Sequence, residues 1–243
     1  MRALIVSDIH SNLEALEAVL RHAGQNGGFD HIWSLGDVVG YGPDPSACLR
    51  LLRGYDLTAV AGNHDYAAAG VIDAADFNGA AFNAIRWTAQ QIGAEEAEYL
   101  AALPITFLTP PFTLVHGSLR DPLAEYLTHP SQAVVTLGLL TTPYCLVGHS
   151  HYPFACRENG GMPMFLPLPE SDPLALGSER CIINPGSVGQ PRDRDVRASY
   201  AVYDDGAHAI EHHRVEYDRA TTQAKMRRAG LPQYLIDRLD QGV

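Results

Sequence analysis

Ala3-Leu4-Ile5-Val6 followed by Ser7-Asp8-Ile9-His10-Ser11-Asn12 is the stretch from which the fold can be read. A short apolar run that stops at polar residues suits a buried strand, and two ligand-type side chains, Asp8 and His10, stand where that strand would end. The C-terminal end of a strand is rigid yet opens into a cleft, so active-site groups are expected there. The pattern returns along the chain. His31-Ile32-Trp33-Ser34-Leu35 leads to Gly36-Asp37, Leu57-Thr58-Ala59-Val60 to Gly62-Asn63-His64-Asp65, Phe112-Thr113-Leu114-Val115 to His116-Gly117, and Tyr144-Cys145-Leu146-Val147 to Gly148-His149-Ser150-His151.

Helical spacing fills the gaps between the early runs. Leu13, Leu16, Val19 and Leu20 share one face of a helix from about Asn12 to His22, and Ala47, Leu49, Leu51 and Leu52 mark a second after Pro45. Alternating strand and helix over the first hundred residues implies parallel pairing through crossovers. After Gly148 the runs 180–184, 199–203 and 207–217 are separated by turn residues, so this half reads as antiparallel and hairpin-rich, forming a second sheet over about 150–217. The Pro-rich segment 159–179 reads as a loop or insertion at the rim. Leu231, Leu235, Ile236 and Leu239 suggest one C-terminal helix over about 219–240, docked on the body rather than part of its core.

With 243 residues, 46% of them hydrophobic, the chain has enough apolar surface for one large core, and no linker, repeat or charge block divides it, so 1–243 reads as a single domain. No apolar run reaches membrane-spanning length and the first strand begins right after Met1, which points to a cytoplasmic protein with no membrane partner. Cys48, Cys145, Cys156 and Cys181 are scattered without a Cys-x-x-Cys pair and read as buried small hydrophobes. A net charge of −11 with no Lys/Arg stripe argues against long nucleic acid, while two divalent ions would let the site itself take a small anion.

Asp8, His10, Asp37, Asn63, His116, His149 and His151 offer the mixture of carboxylate, imidazole and amide oxygen that manganese, iron, zinc or nickel accepts. A bridging carboxylate would hold two such ions about 3.5–4 Å apart, the spacing of two-metal phosphatases and nucleases. The two-residue spacing in Asp8-x-His10 and His149-x-His151 would aim both ligands to one side of an extended backbone. Gly36 and Gly62 suit close backbone approach beside such a site.

This series of clusters, in this order, resembles the signature of the calcineurin-like metallophosphoesterase superfamily over roughly residues 1–190. Ser7-Asp8-Ile9-His10-Ser11-Asn12 and Asn184-Pro185-Gly186-Ser187-Val188-Gly189 are similar to its small bacterial and archaeal phosphodiesterase branch. The resemblance implies a four-layer α/β/β/α sandwich of two mixed sheets flanked by helices. It also implies two metal ions, manganese favoured for activity: one on Asp8, His10 and His151, the other on Asn63, His116 and His149, with Asp37 bridging. His64 would be the general acid and Asp65 would orient its imidazole. The implied reaction is in-line attack of a metal-bound hydroxide on a small phosphodiester.

The alternatives within that resemblance are a dinucleoside polyphosphate phosphatase, a serine/threonine protein phosphatase, and a non-catalytic scaffold, which would be expected to lose the general-acid histidine. Asn12 is a candidate for helix capping or phosphate contact, and Arg192 for phosphate binding or an ion pair with Asp193 or Asp195. Tyr41 to Asp44, Asp73 to Trp87, Arg120 to Tyr126 and the Pro-rich segment are the expected rim. A homo-oligomer is compatible with all of these readings.

Overall fold

The computed structural model describes residues 1–170 and 172–243. In chain order its elements begin with β1 (Arg2–Val6), α1 (Leu13–Gln25), β2 (His31–Ser34), α2 (Pro45–Leu52), β3 (Leu57–Ala59), α3 (Asn63–Ala68), α4 (Gly79–Gln91) and α5 (Ala94–Ala101). They continue with β4 (Thr106–Thr109), β5 (Phe112–Val115), α6 (Pro130–Leu139), β6 (Tyr144–Leu146), β7 (Pro153–Asn159), β8 (Met162–Pro167) and β9 (Leu174–Ala175). The last are β10 (Cys181–Pro185), β11 (Ala198–Asp204), β12 (Ala209–Val215), α7 (Arg219–Arg228) and α8 (Gln233–Arg238).

The strands form two six-stranded mixed sheets, ordered β3-β2-β1-β11-β12-β9 and β4-β5-β6-β10-β7-β8. β1, β2 and β3 run parallel, as do β5, β6 and β10, and the remaining pairs are antiparallel. Strand alternation sorts the core into layers. Leu4, Val6 and Ile32 face α1 and α2, whereas Ala3, Ile5 and Trp33 face Phe112, Leu114, Leu146 and Ile183 of the other sheet. Val115, Cys145, Val147 and Ile182 look outward onto Ala133 and Leu137 of α6. Each such fully buried aliphatic side chain contributes about 1.5–3 kcal/mol, so three apolar layers hold the four structural ones together.

Three expectations need correction. The second sheet is not the product of residues 150–217, because β11 and β12 extend the first sheet from β1 while β4, β5 and β6 build half of the second. Apolar alternation identifies strands but not partners, and both sheets recruit from both halves of the chain. The segment 159–179 is not wholly loop: β7 and β8 pair as a hairpin, and β9 edges the first sheet, with Ser171 outside the described residues. The C-terminal helix is two helices, parted by Gly230 at φ +69° and by Pro232, residues that end one helix and start another. No described helix is long and apolar enough to cross a membrane.

Candidate metal centre

All five sequence clusters meet at one place because β1, β2, β3, β5 and β6 point their C-terminal ends the same way, three in one sheet and two in the other. Loop-to-loop hydrogen bonds then fix the turns: the amides of Asp8, His10 and Ser11 donate to the carbonyls of Gly36, Asp37 and Val38 at 3.1, 2.9 and 2.9 Å. Asp8, His10, Ser11, Asp37, Tyr41, His149 and His151 all adopt left-handed backbone, with φ between +48° and +63°. This corrects the expectation of extended backbone at Asp8-x-His10 and His149-x-His151. Left-handed geometry costs a non-glycine residue of order 1–3 kcal/mol, and its concentration here marks a site that the surrounding sheets over-determine.

Asp8, His10 and His151 bring one ligand atom each within 4.8 Å of one another, and Asp37, His116 and His149 do the same. Asp37 lies between the two groups. The amide of His64 donates to its Oδ1 at 2.9 Å, leaving Oδ2 at 3.6 Å from His10 Nε2 and 3.3 Å from His116 Nε2. Asn63 joins the second group, its Oδ1 at 3.2 Å from His116 Nε2. Gly62 makes room for the carboxylate, since a Cβ there would sit 2.0 Å from Asp37 Oδ1.

The outer nitrogen of each of the four imidazoles meets a main-chain carbonyl. Nδ1 of His10, His116 and His151 faces the oxygens of Val39, Leu35 and Gln190 at 3.2, 2.8 and 2.5 Å, and Nε2 of His149 faces that of Ala124 at 3.2 Å. A carbonyl only accepts, so each outer nitrogen carries the proton and each inner one presents a lone pair. With all four rings neutral, as metal ligands must be, the inner nitrogens approach lone pair to lone pair, His10 and His151 at 3.2 Å and His116 and His149 at 3.1 Å. Two acceptors cannot bond each other. Ligands about 2.1 Å from a shared ion lie at such separations from one another, and the residues therefore fit two divalent metals.

The electrostatics agree. Burial would raise the carboxyls of Asp8 and Asp37, yet the surrounding histidines, His151 for the first and His116 for the second, hold both well below the usual range. Burial lowers His10, and it lowers His149 to about 3 with His116 adding to the effect, so both rings are neutral ligands at neutral pH. His116 goes the other way: burial opposes a charge, but Asp37 overrides it and pushes the ring up to about 9. That proton answers the same demand for positive charge that a cation would meet.

The anticipated helper residues divide. His64 stands at the start of α3, its ring packed on Tyr41, His10 and Phe77 at 4.3, 4.8 and 5.0 Å, and burial above all holds it down at about 4. Asp65 does not orient it. Both Asp65 oxygens accept main-chain amides, from Val39 at 3.1 Å and Gly62 at 3.0 Å, while His64 Nδ1 is buried with no hydrogen-bond partner. The α3 turn aims residue 65 back at the Gly62 amide, which lets Asp65 tie the Asp37 loop to α3. Asn12 caps α1 through Ala15 and donates to Gly189, and Thr222 of α7 donates to its Oδ1. Arg192 forms no ion pair with Asp193 or Asp195, which are taken by Arg214 and Arg197; it lies 6.0 Å from the Tyr41 ring and faces the centre.

A cleft of about 420 Å³ opens beside the second group, lined by Asn63, His64, Phe77, Leu123, Tyr126 and His149 among others. Tyr126 lies flat on the His149 ring at 3.9 Å. None of the described residues of the Pro-rich segment lines this cleft. Sequence reading missed the carbonyls of Leu35, Val39, Ala124 and Gln190, because a main-chain acceptor leaves no residue signature.

Comparison with known proteins came to the same place. Residues 1–206 match the model of the calcineurin-like phosphoesterase superfamily domain. The chain is 39% identical over 245 residues to the uncharacterized protein MJ0912 of Methanocaldococcus jannaschii, covering 98% of this chain and 97% of that one. It is 46% identical to a metallophosphoesterase of Sphaerobacter thermophilus whose crystal structure superposes with a TM-score of 0.89, covering 100% and 99% of the two chains. A segment of 67 residues, 27% of this chain and 25% of the other, is 36% identical to the symmetrical bis(5′-nucleosyl)-tetraphosphatase of Glaesserella parasuis.

Proposed function

Because the chain belongs to the calcineurin-like phosphoesterase superfamily and is a metal-dependent hydrolase of phosphoric esters, we propose that it cleaves small phosphodiesters at a two-metal centre. Asp8, His10 and His151 would hold one ion and Asn63, His116 and His149 the other, with Asp37 lying within reach of both groups. The observation that carries this reading is the set of four imidazole lone pairs turned inward by four main-chain carbonyls. The mixed nitrogen and oxygen donors accept manganese, iron, zinc or nickel, and manganese is the ion proposed for activity. When bound, two such ions supply Lewis acidity to the phosphoryl oxygens and lower the pKa of water.

The chain's own groups do the rest. Asp37 and Asp8 bring negative charge that lowers the net field, so a singly charged diester suits the centre better than a dianionic monoester. His64, beside Asp37 and within 4.8 Å of it and His10, gives its proton to the departing oxygen. Its ring is neutral before substrate arrives; an approaching phosphoryl anion raises its proton affinity, so the ring takes up a second proton from solvent as substrate binds and passes that proton on. Asn12 acts by holding Gly189 and the start of α1, and Arg192 adds positive charge from the Tyr41 side. The proposal treats 1–243 as one domain working in the cytoplasm, a compartment consistent with four buried free cysteines.

The test is metal reconstitution followed by assay of bis-p-nitrophenyl phosphate against p-nitrophenyl phosphate. About two ions per chain and a higher kcat/KM on the diester are expected. His64→Ala should keep both metals and lose about 10²–10⁴-fold on an alkyl ester but much less on a nitrophenyl ester, whose departing oxygen scarcely needs a proton. Loss of a metal in that variant would make His64 a ligand instead.

A further inference from the structure

Of the four imidazoles at the centre, three turn Nε2 inward and His149 alone turns Nδ1 inward, at 3.1 Å from His116 Nε2. That orientation needs support of its own. The last torsion of a histidine is soft, and a half-turn of the ring would put a C–H where the lone pair stands. His149 is also the least enclosed of the four, at 5% exposed against 2% or less for the others. The acceptor that resists the half-turn, the Ala124 carbonyl at 3.2 Å from Nε2, belongs to the segment 117–126 between β5 and α6.

The same segment supplies a second restraint. Tyr126 covers one face of the His149 ring, with centroids 3.9 Å apart and planes 18° apart. A ring turning about its Cβ–Cγ bond sweeps out of its own plane, so a parallel neighbour in van der Waals contact blocks the turn. Tyr126 is itself 45% exposed, and burial alone does not hold it there. The segment does. Directly after His116, the amide of Gly117 donates to the carbonyl of Pro122 at 2.7 Å and that of Ser118 to the carbonyl of Asp121 at 3.1 Å. A Cβ on residue 117 would sit 2.8 Å from the Asp121 oxygen, so the turn requires glycine. Ser118 Oγ then donates to Glu125 Oε2 at 2.5 Å, and Arg120 pairs with the same carboxylate, which fixes the residue between Ala124 and Tyr126. The segment thus starts at one ligand of the second group and ends against another.

We propose that Tyr126 is a positioning residue for the second metal site: together with the Ala124 carbonyl it clamps the His149 ring so that Nδ1 faces the centre. It acts through His149 and by its flat ring, not by its hydroxyl. The inference rests on the two-metal reading above.

The test titrates manganese ions into the metal-stripped protein and follows binding by calorimetry, a readout independent of turnover. Two binding steps are expected in the unaltered protein, and the step that His149→Ala removes or weakens most belongs to the second group. Tyr126→Ala should weaken that step about tenfold and leave the other within about twofold, and Tyr126→Phe, which keeps the flat ring, should restore it. In a His149→Ala background Tyr126→Ala should change nothing further, the mark of a residue that acts through the imidazole. The proposal is overturned if both steps weaken alike, if neither does, if Tyr126→Phe is as weak as Tyr126→Ala, or if the loss persists in the His149→Ala background. Uptake of a single ion by the unaltered protein would reject the two-metal reading. The role of Tyr126 then stands if that ion's affinity still drops in Tyr126→Ala and no further in the doubly substituted chain than in His149→Ala, and it falls otherwise.

Discussion

At the scale of single residues, Asp37 and Gly62 depend on each other. Asp37 turns one oxygen toward both His10 and His116 while the other is pinned by the His64 amide, and this requires residue 62 to carry no Cβ. Asp37→Ala should therefore lower metal content at both sites together, which elemental analysis after reconstitution reads directly; a variant with one ion at full occupancy would show that the bridge is absent. Gly62→Ala is subtler. Its backbone, at φ −96°, suits alanine, but the new methyl group would meet Asp37 Oδ1 at 2.0 Å and the Asp37 main-chain nitrogen at 2.4 Å, so carboxylate and loop must both move. A loss of about 10–100-fold in metal affinity is expected, together with a lower melting temperature of the metal-stripped protein. His64 and Asp65 show how far neighbouring residues diverge in role: one turn of α3 sends the imidazole into the centre and the carboxylate back onto two main-chain amides.

At the scale of elements, the C-terminal pair α7 and α8 is bound to the centre by more than apolar contact. Thr222 of α7 reaches Asn12 at 3.0 Å, and Lys225 pairs with Glu14 and Asp44, so α7 braces the start of α1 just beyond Asp8 and His10. Asn12→Ala removes a helix cap and both ties, and should cost about 1–2 kcal/mol in denaturant unfolding with KM nearly unchanged. A selective rise in KM without loss of stability would instead return Asn12 to the substrate. Ile236 is 1% exposed in the cluster that holds Tyr41, and Ile236→Ala should cost about 2–5 kcal/mol. Hydrogen exchange in 233–238 should accelerate more than in β1 or β11, because α8 lies outside the two sheets.

At the scale of the whole molecule, acid should unfold the protein through buried neutral histidines as well as through its carboxylates. His212 of β12, far in sequence from any candidate ligand, is bonded to Ser199 at 2.8 Å and is held down at about 3, by burial first and then by Arg214 and His213. In the unfolded chain it takes up a proton near pH 6.5. A folded pKa below the unfolded one means that its stabilising contribution is complete above about pH 6.5 and is lost progressively as pH falls toward about 3, at up to about 1.4 kcal/mol per pH unit. Denaturant titrations at pH 7 and pH 5 should show His212→Gln losing less stability between the two than the unaltered protein; identical losses would mean that His212 is already protonated in the fold.

The sequence by itself determined the strands that lead to the five clusters, their polar ends and the ligand types, because apolar runs and residues such as Asp8, His10, His149 and His151 are written locally. Phe112–Val115 even kept its expected bounds. Only the tertiary structure decided which strands share a sheet, since β1 can pair with β11 or with a neighbour on equal apolar terms and the choice depends on how both sheets close over one core. Only it decided which nitrogen of each histidine faces inward, because that is set by carbonyls of Leu35, Val39, Ala124 and Gln190 that come from other segments and carry no side-chain signature. The packing of α8 on Tyr41 belongs to the same class: it is a contact between residues almost two hundred positions apart, and no local pattern encodes it.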